Sequence, residues 1–114
     1  MEISFEGIGQ VAATFAVDGE IQPGMTAVLT GNGTVGRGKA GDAPCGKVLS
    51  VKGGMAAVQI AGMAEVAYTG TAPIIGWGMV AADGTGKIKT AAEGGMNCLI
   101  VSVNTDDSTA VIKL

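Results

Sequence analysis

The chain has 114 residues, including 20 glycines and no histidine, and its formal net charge is −3 at pH 7. Only 15% of the residues are charged, compared with about 25% in ordinary soluble domains. These numbers predict one small folded domain, and they exclude histidine-dependent catalysis, a disulfide-stapled scaffold and a basic nucleic-acid-binding surface.

Short apolar or β-branched segments alternate with Gly, Asp, Asn and Pro clusters along the chain, a pattern typical of an all-β domain. We therefore predict a compact all-β domain over residues 11–114 with glycine-rich turns, little helix (at most one turn at residues 90–93), and residues 1–10 as an N-terminal arm. The predicted strands, in chain order, are residues 11–17, 25–30, 34–35, 47–52, 55–60, 63–68, 73–79, 87–90, 98–103 and 109–114.

Two stretches of the chain resemble each other, and each contains a predicted hairpin. The pattern indicates either a duplication, as in a compact barrel or clip built from two hairpin halves, or only the self-similarity of any strand-and-turn protein. The corresponding segments are 24–25 and 78–79 (both Gly-Met), 48–51 and 100–103 (VLSV and IVSV), and 58–60 and 112–114 (VQI and IKL).

A membrane partner is not expected. The longest uncharged run, residues 66–82, contains three glycines and a proline, whereas a spanning helix needs about 20 predominantly apolar residues. The first residues lack the basic segment of a signal peptide, so we expect synthesis in a cytoplasm, where Cys45 and Cys98 stay reduced.

Two nucleotide-binding patterns occur in the glycine-rich segment. Residues 31–36 match G-x-G-x-x-G, and residues 33–39 match the first seven positions of a Walker A loop. Both motifs hold phosphate at the N-terminus of a helix that follows directly. Residues 40–46 contain two glycines and a proline, and Ala40 stands where the Walker motif needs Ser or Thr. We therefore predict a surface loop and no nucleotide cofactor.

No catalytic, cofactor or metal site is predicted, and the chain is interpreted as a non-enzyme. The serines have no histidine to activate them, the carboxylates are scattered, and two distant cysteines make no closed zinc site. Lys52 lies at a predicted hairpin tip, as the modified lysine of biotinyl and lipoyl carrier domains does. Its Val-Lys-Gly context departs from their Met-Lys-Met or Asp-Lys-Ala, which favours a solvated turn lysine.

Five large apolar residues are the candidate contacts with a partner. Trp77 lies between two glycines, where it is either a buried plug beneath close backbones or an interface anchor. Phe15 lies near the start of the chain, and Ile3, Phe5 and Ile8 lie in the N-terminal arm. Such an arm can become ordered on a partner.

Several turn motifs carry a resemblance to a known family. Residues 21–24 (IQPG) lead into a strand, residues 40–42 (AGD) are followed by 46–48 (GKV), and residues 83–88 (DGTGKI) precede a C-terminal hairpin. Together with Gly78, this pattern over residues 11–114 resembles the DUF2190-type phage capsid decoration proteins, which are similar in role to the lambda head decoration protein.

The resemblance implies a small β-clip or β-tulip fold and a homotrimer that binds three-fold positions of a mature capsid. The implied partners are the major capsid protein and the chain itself, the implied location is the virion surface after synthesis in the host cytoplasm, and no catalytic residue is carried over. The alternatives are another phage β-module, such as a tail or head-fibre-base component, and a small cellular carrier or ligand-binding β-barrel.

Overall fold

Ten β-strands make up the regular structure of residues 9–114, the part of the chain that a computed structural model describes. The strands are β1 (Val11–Val17), β2 (Thr26–Gly31), β3 (Thr34–Gly36), β4 (Gly46–Lys52), β5 (Met55–Ala61), β6 (Met63–Ala67), β7 (Gly76–Ala82), β8 (Ile88–Thr90), β9 (Met96–Asn104) and β10 (Thr109–Lys113). The all-β prediction is confirmed. At residues 90–93, where the sequence allowed at most one helical turn, the chain forms the end of β8 and bends.

The first five strands form a closed barrel in the order β1-β3-β2-β4-β5. All neighbours are antiparallel except β1 and β3, whose parallel pairing joins the barrel's ends. This closure removes the unpaired strand edges that open sheets expose. The barrel core is small and aliphatic, and its buried residues are Ile21, Ala27, Val35, Val48, Ala56 and Val58.

The last five strands form a second sheet in the order β6-β10-β9-β7-β8, with antiparallel neighbours throughout. A single parallel bridge between Tyr68 and Ile88 brings its two edges together. The core of this sheet is separate from that of the barrel, and its buried residues are Val66, Tyr68, Val80, Ile88, Cys98, Ile100, Ala110 and Ile112.

The two sheets have the same topology. Replacing β1 to β5 by β6 to β10 in order converts the barrel's antiparallel neighbours into those of the second sheet, and the parallel contact recurs at the same place. The amide of Asp18 donates to the Val35 carbonyl at 2.8 Å, and the amide of Thr69 donates to the Ile88 carbonyl at 2.8 Å. The chain is therefore a structural duplication of a five-stranded unit.

The second hairpin of each unit shares even its irregularity. In the first unit Val48 pairs with Val58, and the register shifts before Ser50 pairs with Ala57. The same shift separates the pairing of Ile100 with Ile112 from that of Ser102 with Val111 in the second unit. The predicted equivalence of these hairpins is confirmed, but each repeat is a whole five-stranded sheet rather than a hairpin half.

The predicted equivalence of the two Gly-Met pairs is wrong by three residues. Thr26 pairs with Lys47 on β4, and Trp77 pairs with Leu99 at the matching place on β9. Thr26 and Trp77 are therefore equivalent. Further along these strands Leu29 pairs with Val35, and Ala82 pairs with Ile88. Because Val35 and Ile88 make the matching parallel contacts, Leu29 is the equivalent of Ala82, and β7 holds two extra residues between these points.

The two units meet where the β7–β8 turn lies against the barrel. The Thr26 amide donates to the Gly86 carbonyl at 2.8 Å. On the other side of the turn, the Gly41 amide donates to the Ala82 carbonyl at 2.9 Å, and the Ala82 amide donates to the Asp42 carbonyl at 2.8 Å. The turn is thus held between the start of β2 and the loop that follows β3.

Candidate interaction surface

An apolar strip at the start of β7 is the most exposed hydrophobic feature of the described residues. Ile74 is 83% exposed, Ile75 is 61% exposed and Trp77 is 74% exposed. We call these three residues the β7 patch. Large apolar side chains that are adjacent and this exposed are typical of interaction sites, and tryptophan is enriched among residues that dominate binding energy.

The alternation of β7 explains why Trp77 faces outward. Gly78 and Val80 face the core, where Val80 is buried and a Cβ on Gly78 would lie 4.0 Å from Ile100. Because neighbouring strand residues point to opposite faces, Trp77 lies on the outer face. Gly76 has a φ of +112°, which suits glycine and turns the chain into the strand. The interpretation of Trp77 as a buried plug is therefore wrong.

Exposed apolar side chains also occur on the barrel. Leu29 is 54% exposed near the end of β2, and Val11 is 52% exposed on β1. Met55 and Ile60 on β5 are also exposed. Leu29 is notable because its equivalent in the second unit, Ala82, is buried.

The other candidate contacts have different environments. Phe15 is half-buried and packs against the barrel core opposite Ala56, so much of its ring contributes to the fold. Ile3, Phe5 and Ile8 lie outside the described residues. Phe15 therefore belongs to the barrel and is not part of the β7 patch.

The nucleotide-like motif forms the β2–β3 turn, strand β3 and the first part of the loop that follows, without a helix N-terminus. Its first part, residues 31–34, makes the tight turn between β2 and β3, where Gly33 has a φ of +62°. The Lys39 amide donates to Asp42 Oδ2 at 2.8 Å, so a carboxylate occupies a donor that a phosphate would need. This part of the chain lacks the geometry that both motifs require.

Asp83 organises the β7–β8 turn. Its Oδ1 accepts hydrogen bonds from the Thr85 amide at 2.8 Å and the Lys87 amide at 3.1 Å, and its Oδ2 accepts one from Thr69 Oγ1 at 3.0 Å. Partial burial raises the pKa of Asp83, but the bonds from Thr85, Lys87 and Thr69 outweigh it and lower the pKa below its ordinary value. The carboxylate is therefore fully engaged in shaping this turn.

The two thiols are free and poorly reactive. Cys98 is buried in the core of the second sheet, and Cys45 is half-buried beside the barrel core. Burial raises the pKa of both thiols, which lowers the fraction of thiolate, the nucleophilic form. Among residues 9–114, no group of three or more Cys, Asp or Glu side chains is placed to hold a metal ion.

Lys52 is the last residue of β4 and is exposed. It precedes Gly53 and Gly54, which have φ values of +60° and +78°, as in the primed turns that favour tight hairpins. The predicted hairpin tip is confirmed, and Lys52 projects from it.

No helix within residues 9–114 could span a membrane. No model of a known protein family matches this sequence, and no curated protein matches it. The surface chemistry described above is therefore the basis for assigning a function.

The sequence alone missed Ile74, Ile75 and Leu29 as surface residues, because each falls in a predicted strand where apolar residues ordinarily indicate core. The sequence does carry one sign of this exposure, which becomes readable once the structure has aligned the two units. Counting back from the equivalence of Thr26 and Trp77, the residues in the first unit that correspond to Ile74 and Ile75 are Pro23 and Gly24. Apolar residues at positions that serve as a turn in the other repeat indicate a surface with a partner.

Proposed function

We propose that this chain is a structural virion protein: a homotrimeric decoration protein that binds the major capsid protein at three-fold positions and stabilises the mature phage head. The observation that carries the proposal is the β7 patch, exposed on a chain in which only 15% of residues are charged. A patch of this kind is rare on soluble monomers, and a trimer bound to a shell would cover it.

The architecture suits a protein that adds contact area to a shell. Stable assemblies bury large interfaces that are more apolar than ordinary surface. The closed barrel presents no unpaired edges along which virions could aggregate, and in the second sheet a parallel bridge between Tyr68 and Ile88 brings the two edges together. A head-stabilising protein also needs no reactive group, and here the most engaged carboxylate, Asp83, and the buried Cys98 have structural environments. We accordingly propose a non-enzymatic role.

The contact with the shell is assigned to the N-terminal arm, residues 1–10. Its apolar residues Ile3, Phe5 and Ile8 are spaced among glycines and glutamates, so the arm carries apolar anchors without being able to form a core of its own. Because β1 begins at Val11, deleting residues 1–10 leaves the sequence of every described strand unchanged.

Deleting residues 1–10 is expected to abolish shell binding and leave the fold unchanged. The assay is co-sedimentation of the purified protein with expanded capsids that lack a decoration protein, prepared from the phage whose genome encodes this chain. Replacing Ile3, Phe5 and Ile8 together by serine is the milder variant and is expected to weaken binding in the same direction. Circular dichroism serves as the folding control.

Two results would overturn these assignments. Shells that stay bare under saturating wild-type protein contradict the decoration function and direct the search to tails and head-fibre bases. Unfolding of the truncated chain contradicts the assignment of residues 1–10 as an arm. The carrier alternative depends on Lys52 at its exposed tip, and an added acyl group at Lys52 in the intact mass of the protein expressed in its host would favour it.

A further inference from the structure

We propose that the β7 patch of one copy is covered by the β2–β3 end of a second copy, in a head-to-tail contact. By the β2–β3 end we mean Leu29 together with the turn at Asn32 and Gly33. The inference deepens the proposed function and rests on its self-association, but it does not depend on any contact with a capsid.

The first step is a contact inside the chain. Thr26 at the start of β2 is only 3% exposed, because the β7–β8 turn of the second unit lies on it. The Thr26 amide donates to the Gly86 carbonyl, and Gly86 lies so close to Met25 that an added Cβ would be 2.8 Å from its Cγ. In the first unit, the surface at the start of β2 is therefore filled by the turn of the other unit.

The second step is the equivalent surface in the second unit. Trp77 occupies the same place in β7 as Thr26 does in β2, as their pairing with Leu99 and Lys47 shows. Within residues 9–114 nothing covers it, since Trp77 is 74% exposed. The two equivalent surfaces therefore differ. The one at Thr26 is covered by the turn of the other unit, and the one at Trp77 is exposed.

The third step identifies the element that would fill it. The β7–β8 turn covers the first unit, and its equivalent in the duplication is the β2–β3 turn. Asn32 and Gly33 at that turn are exposed, as is Leu29, whose equivalent Ala82 is buried at the contact with the barrel. The β2–β3 end is therefore an unused copy of an element that serves as a cover elsewhere in the same chain.

The segments that would meet carry no charge of their own. Residues 66–82, which include the β7 patch, contain no charged side chain, and neither do residues 26–36, which include the β2–β3 end. Charged side chains do lie beside Leu29, in a pocket also lined by Asp18, Glu20, Arg37, Lys39 and Asp42. The contact would keep them at its solvated rim, because burying an unpaired charge is costly. Both surfaces contribute large apolar side chains, as the cores of stable interfaces do.

The symmetry of the contact follows from the difference between its two sides. Because the surfaces are different, the contact is heterologous, and such contacts produce rings when the rotation closes. Closure after three copies gives a ring of six similar sheets, in which contacts inside chains alternate with contacts between chains. This arrangement agrees with the trimer in the proposed function.

The chain's single tryptophan reports on the contact directly. Diluting wild-type protein is expected to shift the Trp77 fluorescence to longer wavelengths as the ring dissociates, in step with the loss of molar mass in sedimentation equilibrium. Trp77→Thr, which installs the residue of the equivalent position, and Leu29→Thr are each expected to raise the dissociation constant by about 30-fold or more, the size of a hot-spot loss. Val11→Thr is the control, because Val11 on β1 is about as exposed as Leu29, and it is expected to leave the dissociation constant unchanged.

A mixing experiment distinguishes a head-to-tail contact from a patch that pairs with itself. Trp77→Asp retains an intact β2–β3 end, and Leu29→Asp retains an intact β7 patch. Each variant alone is expected to be monomeric, and an equimolar mixture is expected to form a one-to-one dimer that stops there, because each chain has lost one of its two surfaces.

The outcomes separate this inference from the proposed function. A wild-type oligomer that survives both aspartate substitutions, or variants that do not pair on mixing, would overturn the head-to-tail contact. So would a monomeric wild type whose tryptophan emission does not depend on concentration, the result expected if the chain's own first residues or a shell cover the β7 patch. Shells left bare by a ring that assembles as described would overturn the decoration function and leave the contact standing.

Discussion

At the scale of single residues, Asp83 shows how an acidic side chain can serve structure alone. One carboxylate shapes the β7–β8 turn by accepting hydrogen bonds from Thr69, Thr85 and Lys87. In the same turn, the Gly86 carbonyl accepts a hydrogen bond from the Thr26 amide on the barrel. The geometry of Asp83 therefore also supports the contact between the two units.

Asp83→Asn is expected to lower the free energy of unfolding at pH 7 by about 1–2 kcal/mol, the value of a few hydrogen bonds to a partly solvated carboxylate. Because the pKa of Asp83 is lowered in the folded protein, its stabilising contribution is present above the ordinary aspartate pKa and is lost as pH falls through the folded value. The difference between variant and wild type should therefore shrink below about pH 4.

Urea unfolding at pH 7 and pH 3 measures this difference. Asp106→Asn, at an exposed position in the β9–β10 turn, is the matched control and is expected to change stability little at either pH. A stability loss for Asp83→Asn that is equally large at both pH values would contradict the assigned role of the charge.

At the scale of secondary-structure elements, the two units differ in how they fill the same inter-strand position. Ala27 on β2 pairs with Gly46 on β4, and the equivalent pair in the second sheet is Gly78 with Cys98. The glycine of the pair thus lies on β4 in the first unit and on β7 in the second. In the barrel, a Cβ on Gly46 would overlap the Gln59 carbonyl oxygen and lie 2.9 Å from Val58 Cγ1.

Gly46→Ala is accordingly expected to cost about 3 kcal/mol or more of unfolding free energy, since backbone cannot yield as a flexible side chain can. Gly78→Ala is the matched control. Its added Cβ would meet only Ile100 Cγ1, at 4.0 Å, so its effect should stay within about 1 kcal/mol in either direction. Denaturant unfolding of both variants checks this, and equal stabilities would contradict the close packing assigned to Gly46.

Most strands could be predicted from the sequence because their signals are local. The 11–17 strand and the Gly53-Gly54 turn follow from residue type and spacing alone. The predicted strand at 73–79 starts too early because the chain turns at Gly76, whose positive φ is set by its surroundings. Strand β9 is longer than predicted because Met96 and Asn97 pair with β7, which is distant in sequence.

The candidate surface was only partly predictable. Trp77 was recognisable as an interface candidate, but its direction depends on which face of β7 meets Ile100, and two flanking glycines do not specify a face. Leu29 was not recognisable as exposed, because its equivalent Ala82 is buried where the second unit meets the barrel, and this contact joins segments that are distant in sequence. The parallel pairing of β1 with β3 is also non-local, so the barrel's closure had no signal in a single segment.

At the scale of the whole molecule, duplication explains both why the two sheets share one topology and why an apolar surface at Trp77 is left exposed. Two similar units in one chain cover one of two equivalent positions, at Thr26, and leave the other open, at Trp77. The low charge of the chain fits the proposed function, in which sister copies and a shell would cover surface that then needs few charges.

The proposed function places three copies of this chain at each three-fold position of a phage shell. Cryo-electron microscopy of expanded, undecorated capsids mixed with saturating protein tests it most directly. We expect three copies at each three-fold position, arranged as a ring with Trp77 between neighbouring chains. Shells that show no added density at these positions, under conditions in which the protein is folded, would contradict the claim.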